Sequence, residues 1–378
     1  MEINCKSCGT GLEVSSNLEG RAVKCKECNA TVKIPITGKQ INPGMKIGGF
    51  ETLKPLGIGG MGEVWLAEQK AMDRKVALKI LSPKYTNDTE FVGRFMSEVK
   101  FSAKLEHPNI VTAFDAGIEN GIHYLAISFV EGMQLEQILF KQKIVPEKQA
   151  LKYIRNIAEA LDYAWENFQL LHRDIKPGNI MIDEKDNAKL MDMGLCKSIN
   201  EDLHLTQTDV IIGTPYYMSP EQAMEKDIDT RSDEYSLGAT LYHLLSCEKP
   251  FKGNSPADII QKHIQEPLRN PQEINPDLSD DCVELLNIMM AKKVSERHNS
   301  WKELISDLDK VIDGAFLSEN IKKEPKQKTP LTTAILIVIF VIIVALFAIF
   351  NSNKQEEKDA QIKALQEKLE NTKKGDIK

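Results

Sequence analysis

The sequence predicts an α+β protein with two lobes, preceded by a small cysteine-rich module and followed by one transmembrane helix. Three observations lead to this prediction: two Cys-x-x-Cys pairs near the start, strand-like and then helix-like periodicity in the middle, and one uncharged apolar run near the end. The 378 residues divide accordingly into a module at 1–34, a linker at 35–46, the two lobes at 47–312, a juxtamembrane linker at 313–330, an apolar helix at 331–350 and a charged tail at 351–378.

The composition excludes several classes of protein. Hydrophobic residues make up 42% of the chain and charged residues 27%, so a wholly disordered or collagen-like chain is excluded. Charge is spread along most of the length, which excludes a polytopic membrane protein. The net charge is −7, so we expect no nucleic acid bound through a broad basic surface.

The cysteine-rich module has the ligand spacing of a structural zinc site. Cys5 and Cys8 form one pair, and Cys25 and Cys28 form the second after 16 intervening residues. So short a module buries too little apolar surface to fold unaided, and four thiolates around one Zn²⁺ would supply the missing free energy. Since sulfur would fill all four metal positions, the predicted site is structural. Free or disulfide-bonded cysteines are the alternative.

Short strand signals at 12–14 and 31–34 give this module the pattern of a zinc ribbon. Such a ribbon could contact nucleic acid, but three acidic residues dilute the basic ones here: Glu13, Glu19 and Glu27. We therefore favour a regulatory or protein-binding role for the ribbon.

The middle of the chain changes character near residue 130. Strand signals at 64–67, 76–80 and 124–127 dominate the first half, and after residue 132 helical patterns dominate, beginning with a predicted helix at 146–167. One amphipathic helix interrupts the strands, and its apolar residues recur at helical spacing: Phe91, Val92, Phe95, Met96 and Val99. A cleft between two lobes is the expected result.

A glycine-rich run, Gly57-x-Gly59-x-x-Gly62-x-Val64, lies between two strand signals. A dinucleotide-binding turn would be followed by a helix, which is not the pattern here. The glycines allow backbone amides to approach a phosphate, although a lone motif of this kind is also compatible with a simple turn.

Lys79 lies inside an apolar strand pattern, and burying an unpaired ammonium is costly. Glu98, on the amphipathic helix that follows, is the predicted partner. Such a pair would hold the ammonium toward bound phosphates. The alternative is a surface lysine on an edge strand.

Residues 172–179, His-Arg-Asp-Ile-Lys-Pro-Gly-Asn, form the most specific stretch of the chain. Asp174 is suited to accept a hydroxyl proton, and Lys176 is suited to neutralise charge on a phosphoryl group. Asn179 and Asp192 offer the oxygen ligands that Mg²⁺ prefers.

Together these motifs resemble those of Hanks-type protein kinases, and in particular the bacterial serine/threonine branch. The resemblance covers about residues 47–312 and includes six motifs in order, the last being Ser-Pro-Glu at 219–221. It implies the bilobal protein-kinase fold, ATP and Mg²⁺ as cofactors, and proteins with Ser or Thr hydroxyls as substrates. A non-catalytic ATP-binding scaffold is the alternative, and the intact motifs argue against it.

The resemblance also implies a role for each motif residue. Lys79, paired with Glu98, would contact the α- and β-phosphates of ATP, and Asp174 would orient the substrate hydroxyl. Asn179 and Asp192 would hold Mg²⁺. The remaining nucleotide-binding residues implied in this way are Gly57, Ile58, Gly59, Gly60, Met61, Gly62, Val64, Ala77, Ile127 and Val130.

The serine/threonine pattern continues around the catalytic loop. Lys176 follows the catalytic Asp174 as in that branch, and Thr214 would bridge these two residues. Three further residues would have structural roles: Glu221 paired with Arg297, and Asp233 holding the catalytic-loop backbone. The sequence departs from the pattern at two positions. Ser219 in place of Ala is a small change, whereas Met193 in place of Phe keeps an apolar side chain of similar length but puts the balance between active and inactive states in doubt.

Thr206 and Thr208 lie in the expected activation segment. Arg173, beside the catalytic aspartate, offers a guanidinium to a phosphothreonine. We therefore predict autophosphorylation at Thr206 or Thr208, with ordinary polar loop residues as the alternative.

The apolar run at 331–350 has 20 residues, about 30 Å of helix, which matches the hydrocarbon core of a bilayer. Lysines on both sides of the run barely decide its orientation, but ATP and a reduced zinc site both require the cytosol. We expect a single-pass protein of the cell membrane with the kinase and ribbon in the cytoplasm and the short tail outside.

The tail carries a short apolar stripe of a coiled-coil kind, formed by Ile362, Leu365 and Leu369. A homodimer through this stripe and a solvated helix are both compatible with it.

Overall fold

The computed structural model describes residues 2–14, 22–33, 41–59, 62–192, 197–198 and 215–315. All of them belong to the first of the two units into which the chain divides, Met1–Leu317 and Ser318–Lys378. Among the described residues, no helix is long and apolar enough to cross a membrane. The predicted span at 331–350 and the tail lie outside the described residues.

The cysteine-rich module consists of two antiparallel hairpins, β1 (Glu2–Asn4) with β2 (Gly11–Glu13) and β3 (Ala22–Lys24) with β4 (Thr31–Lys33). Each turn carries one Cys-x-x-Cys pair and is closed in the same way. The amide of Gly9 donates to Cys5 O at 2.8 Å, and the amide of Asn29 donates to Cys25 O at 3.0 Å. Both Gly9 and Asn29 have positive φ, 79° and 55°, which turns each chain back after its second cysteine.

The strand-rich lobe is a six-stranded antiparallel sheet in the order β5-β6-β7-β8-β10-β9, with one helix. Its elements are β5 (Lys46–Ile47), β6 (Phe50–Ile58), β7 (Gly62–Gln69), β8 (Arg74–Leu81), α1 (Thr89–Ser102), β9 (Ala113–Glu119) and β10 (Ile122–Ser128). The strand signals at 64–67, 76–80 and 124–127 are confirmed. Each strand is longer than its apolar signal, because the ladder of backbone hydrogen bonds continues through polar residues.

Helix α1 begins where Asp88 accepts hydrogen bonds from the amides of Glu90 and Phe91. Its inner face buries Phe95 together with the carboxylate residue Glu98. Met96, which belongs to the predicted apolar stripe, is 46% exposed. The face that packs on the sheet is therefore narrower than the apolar pattern, and it includes a buried charge.

The second lobe is mainly helical, as predicted. Its helices are α2 (Leu135–Gln142), α3 (Glu147–Phe168), α4 (Pro220–Ala223), α5 (Thr230–Ser246), α6 (Pro256–Gln265), α7 (Asp280–Met289) and α8 (Trp301–Ile312). Its short strands are β11 (Gly132–Gln134), β12 (Leu170–Leu171), β13 (Ile180–Asp183), β14 (Ala188–Leu190) and β15 (Lys197–Ser198). Helix α5 is buried along nearly all of its length and packs against α3 and α7, so it forms the centre of this lobe.

A buried ion pair links α4 to the segment before α8. The guanidinium of Arg297 is fully buried and donates to both carboxylate oxygens of Glu221, at 2.7 and 3.0 Å. The Ser232 hydroxyl, on α5, donates to the same carboxylate at 2.7 Å. Burial disfavours the charged carboxylate, but these donors outweigh it and lower the pKa of Glu221. The pair thus joins three parts of the helical lobe behind the catalytic loop.

Candidate active site

The glycine-rich run forms the end of β6 and the start of β7. Val64 lies opposite Gly57 on one side and opposite Lys79 on the other. The Gly59 amide donates to Gly62 O at 2.8 Å, which closes the turn. A Cβ on Gly62 would lie 1.9 Å from the carbonyl oxygen of Ile80, so only glycine fits there.

Ile127 pairs with Ala77 across β10 and β8, two residues along from the pairing of Leu125 with Lys79. The chain then leaves the sheet through residues 128–130, which join the two lobes. The structure thus places Ala77 and Ile127 on adjacent strands next to the lysine. This arrangement suits the roles that the resemblance implies for them.

Lys79 lies at the centre of a buried charge cluster. Its Nζ is 2.7 Å from both carboxylate oxygens of Glu98 and 2.8 Å from Oδ1 of Asp192. The Glu98 side chain is only 4% exposed, whereas that of Asp192 is 45% exposed. The predicted Lys79–Glu98 contact is present, and the lysine also binds the predicted metal-binding aspartate.

The three charges shift one another's pKa values. Burial is the largest influence on Glu98 and raises its pKa to about 7, against the opposing charge of Lys79. The charge of Lys79 is the largest influence on Asp192 and lowers its pKa to about 2. Burial opposes the charged form of Lys79, but the two carboxylates outweigh it and raise the pKa of the ammonium. Lys79 and Asp192 are therefore both charged at neutral pH.

The catalytic loop brings the other predicted residues together. The Asp174 Oδ2 atom accepts hydrogen bonds from Lys176 Nζ at 2.6 Å and from Asn179 Nδ2 at 2.9 Å. Asn179 Nδ2 also donates to the backbone oxygen of Asp174 at 2.7 Å. The amide of Met191 donates to Asn179 O at 2.9 Å, so Asn179 lies next to the segment that carries Asp192.

The backbone of this loop is held from behind by Asp233 of α5. Its two carboxylate oxygens accept hydrogen bonds from the amides of His172, at 2.7 Å, and Arg173, at 2.8 Å. Arg173 has a φ of 67° and Asp192 a φ of 63°, an uncommon left-handed conformation for residues other than glycine. Both residues flank the site, and the surrounding hydrogen bonds keep them in this conformation.

A further contact next to this loop has no counterpart in the sequence-based prediction. The Tyr217 hydroxyl shares a hydrogen bond with Nδ1 of His243, at 2.7 Å. Burial, and then the charge of Lys249, lowers the pKa of His243 to about 4, so this imidazole is neutral at pH 7. Tyr217 and His243 lie 26 residues apart, and neither follows a pattern that would have indicated the pairing.

Residues 128–131 line part of a cavity of about 930 Å³, whereas the glycine-rich run and Lys79 do not line it. Its walls carry charges of both signs, from Asp73, Lys75, Glu106, Glu131 and Lys189 among others. No pattern in the sequence indicated this cavity.

Six of the residues that the sequence assigns to the kinase motifs and the activation segment lie outside the described residues: Gly60, Met61, Met193, Thr206, Thr208 and Thr214. The predicted activation segment therefore remains a prediction. Arg173, the proposed partner of a phosphothreonine, lies in the described catalytic loop, and its carbonyl oxygen accepts a hydrogen bond from Gln222 at 3.2 Å.

The comparison with protein families is decisive for the fold. Residues 50–307 match the protein kinase domain. This chain belongs to the protein kinase family. The crystal structure of the kinase domain of PknI from Mycobacterium tuberculosis superposes on this chain with a TM-score of 0.57 at 27% sequence identity. The superposition covers 72% of this chain and 99% of the PknI chain. The predicted bilobal kinase fold is confirmed.

Two bacterial kinases are among the relatives of this chain. The serine/threonine-protein kinase PrkC of Bacillus subtilis is 35% identical over 284 residues, which is 75% of this chain and 43% of PrkC. The serine/threonine-protein kinase PknB of Mycobacterium leprae is 36% identical over 263 residues, 68% of this chain and 42% of PknB. The chain thus spans less than half the length of these relatives.

Proposed function

We propose that this kinase transfers the γ-phosphoryl group of ATP to Ser or Thr hydroxyls of proteins. The proposal rests on two sets of side-chain contacts. Asp174 contacts Lys176 and Asn179 in the catalytic loop, and Lys79 contacts Glu98 and Asp192. The names of PrkC and PknB support serine/threonine specificity. A pseudokinase scaffold would be favoured if a catalytic residue were replaced, but the sequence keeps Lys79, Asp174, Asn179 and Asp192.

The geometry suits an in-line displacement. The oxygen of the acceptor hydroxyl would form a bond to the γ-phosphorus while the bond from phosphorus to the bridging oxygen breaks and ADP leaves. Asp174 would accept the hydroxyl proton, and Lys176, 2.6 Å from it, would face the charge on the transferred group. Lys79 would bind the phosphates that do not react, which positions ATP.

The oxygen atoms present fit Mg²⁺. Asn179 uses its Nδ2 for the bonds to Asp174, so its Oδ1 is the atom suited to a hard cation. Asp192, with a pKa of about 2, is a carboxylate at any physiological pH, and Lys79 engages its Oδ1. Bound Mg²⁺ would neutralise phosphate charge between these two side chains.

The test is transfer from labelled ATP and Mg²⁺ by the full chain in detergent, with Asp174→Asn as the inactive comparison. We expect Asp174→Asn to lose about 10²- to 10⁴-fold in rate while ATP binding persists, because only the proton acceptor is removed. Mapping of the phosphorylated residues tests the proposed sites Thr206 and Thr208. Equal rates for the two proteins would contradict the proposal, and ATP binding without any transfer would favour the scaffold.

We also propose that the four cysteines hold a structural Zn²⁺. Their Sγ atoms lie within 4.8 Å of one another, and Cys5–Cys28 and Cys8–Cys25 are each 3.6 Å apart. Sulfur atoms 2.3 Å from a tetrahedral zinc would be about 3.8 Å apart. The arrangement therefore fits the ion with little adjustment.

We further propose that residues 331–350 anchor the kinase in the cell membrane, with the ribbon and kinase in the cytoplasm. The support is the length and purity of the apolar run together with the cytosolic requirement for ATP. Whether the tail also makes a homodimer is decided by light scattering of the detergent-solubilised chain.

Membrane anchoring predicts a labelling pattern in spheroplasts. A Lys378→Cys chain should react with a membrane-impermeant maleimide before lysis, because its tail would be outside. The wild-type chain is the control, and its cysteines should react only after lysis. Labelling of the Lys378→Cys tail only after lysis would contradict the orientation, and a soluble chain would contradict the anchor.

A further inference from the structure

A lysine in the loop after α5 lies on an aromatic ring. The ammonium of Lys249 lies 3.6 Å from the centre of the Tyr216 ring. Helix α5 ends at Ser246, and the next residue, Cys247, has a left-handed φ of 55° that turns the chain just before Lys249. The position of the charge is therefore set by the fold, because a cation on an aromatic face is held in place by the ring quadrupole.

Tyr216 and its neighbour Tyr217 lie beside the catalytic loop. Gln222, five residues after Tyr217, donates a hydrogen bond to the carbonyl oxygen of Arg173 in the catalytic loop, at 3.2 Å. Arg173 is the residue directly before Asp174. A peptide whose hydroxyl meets Asp174 would therefore continue across this surface.

The Lys249 charge is not neutralised by the part of the chain that the structure describes. No carboxylate there lies within ion-pair distance of it, whereas Lys252, on the same loop, lies 2.8 Å from Glu248. Lys249 is partly exposed, and the imidazole of His243 beneath Tyr217 is neutral. A fixed, accessible ammonium beside a peptide-binding surface attracts a carboxylate.

We propose that Lys249 is a specificity-determining residue, and that this kinase favours substrates with an aspartate or glutamate at one fixed position relative to the phosphorylated residue. The inference rests on the proposed protein kinase activity. An acidic or phosphorylated residue of the chain itself is the competing occupant of Lys249.

The test is a set of peptides with one serine in a neutral background, in which aspartate, alanine or lysine is placed at each position on either side. For the full chain in detergent we expect aspartate to raise kcat/KM over lysine at one position by about fivefold, the size of a partly exposed ion pair. In Lys249→Glu this ratio should invert at the same position. Lys249→Arg should keep it, and so should the control Lys252→Glu.

Three results would overturn the inference. The first is an aspartate preference that persists in Lys249→Glu, and the second is a wild-type chain that is indifferent to charge at every position. The third is an equal loss by Lys249→Glu on all peptides with an unchanged ratio, which would show that Lys249 only holds Tyr216 or binds the chain itself. If the wild-type chain phosphorylates itself but no peptide, the inference is overturned and the kinase activity stands; if it phosphorylates neither, the proposed kinase activity fails and the inference fails with it.

Discussion

Lys79→Met is expected to lower kcat/KM for ATP by about 10²- to 10³-fold, the usual loss when one preorganised charge donor is removed from a reacting phosphate or oxyanion. Lys79 contacts both Glu98 and Asp192, at 2.7 and 2.8 Å. Without it, the phosphates lose a ligand and Asp192 loses the charge that positions it. Steady-state kinetics with varied ATP measure the loss.

The same substitution should also destabilise the fold, in a manner that depends on pH. It leaves the Glu98 carboxyl buried without its cation, and breaking such a pair costs about 3–5 kcal/mol when the remaining group is charged. The pKa of Glu98 is already raised to about 7, and without Lys79 it rises further. A carboxyl whose pKa is higher in the folded state binds more protons there, so stability falls as pH rises above the ordinary 4.5.

Relative to wild type, Lys79→Met should therefore lose more unfolding free energy near about pH 8 than near about pH 5, by about 1.4 kcal/mol, because the two proteins differ in the charge of Glu98 only above the wild-type pKa of about 7. Glu98→Gln in the Lys79→Met background should remove this pH dependence, because no buried carboxyl remains to ionise. The matched control is Lys75→Met on the same strand, since Lys75 is 58% exposed and lies 3.7 Å from Glu131. A penalty equal at both pH values, or one as small as that of the control, would contradict the argument.

The Lys79–Glu98 contact could be predicted because a lysine in an apolar strand needs a partner of opposite charge. Glu98, on the amphipathic helix that follows, offers that carboxylate. The catalytic loop was predictable for a different reason, since its chemistry requires several residue types at close spacing within one short segment. In both cases a local pattern carries the information.

The remaining features depend on contacts between distant segments. Nothing local to Asp192 indicates that it binds Lys79, 113 residues away, and nothing local to Lys249 indicates that it lies on the Tyr216 ring, 33 residues earlier in the chain. The exposure of Met96 likewise depends on how α1 sits on the sheet. Periodicity gives the face of a helix but not the width of the surface it meets.

Removing zinc from the ribbon is expected to unfold that module and leave the kinase lobes intact. Among the described residues of the module, four are buried in its apolar core, namely Cys5, Leu12, Cys25 and Val32, and two of these are proposed ligands themselves. Binding free energy for a structural Zn²⁺, about 10–16 kcal/mol in small modules, would then be nearly all of its folding free energy. In a thermal scan of the full chain, a chelator should remove one transition and leave that of the kinase lobes in place.

Metal content gives the sharper form of this test. Elemental analysis should find about one Zn²⁺ per wild-type chain and almost none in Cys25→Ser, because three thiolates and a hydroxyl bind the ion far less tightly. Cys247→Ser is the matched control, since Cys247 lies in the helical lobe outside the cysteine cluster and should keep the full metal content. A wild-type chain without zinc, or a Cys25→Ser chain that keeps it, would exclude the site. A chelator that melts both transitions together would instead show that the kinase lobes depend on the ribbon.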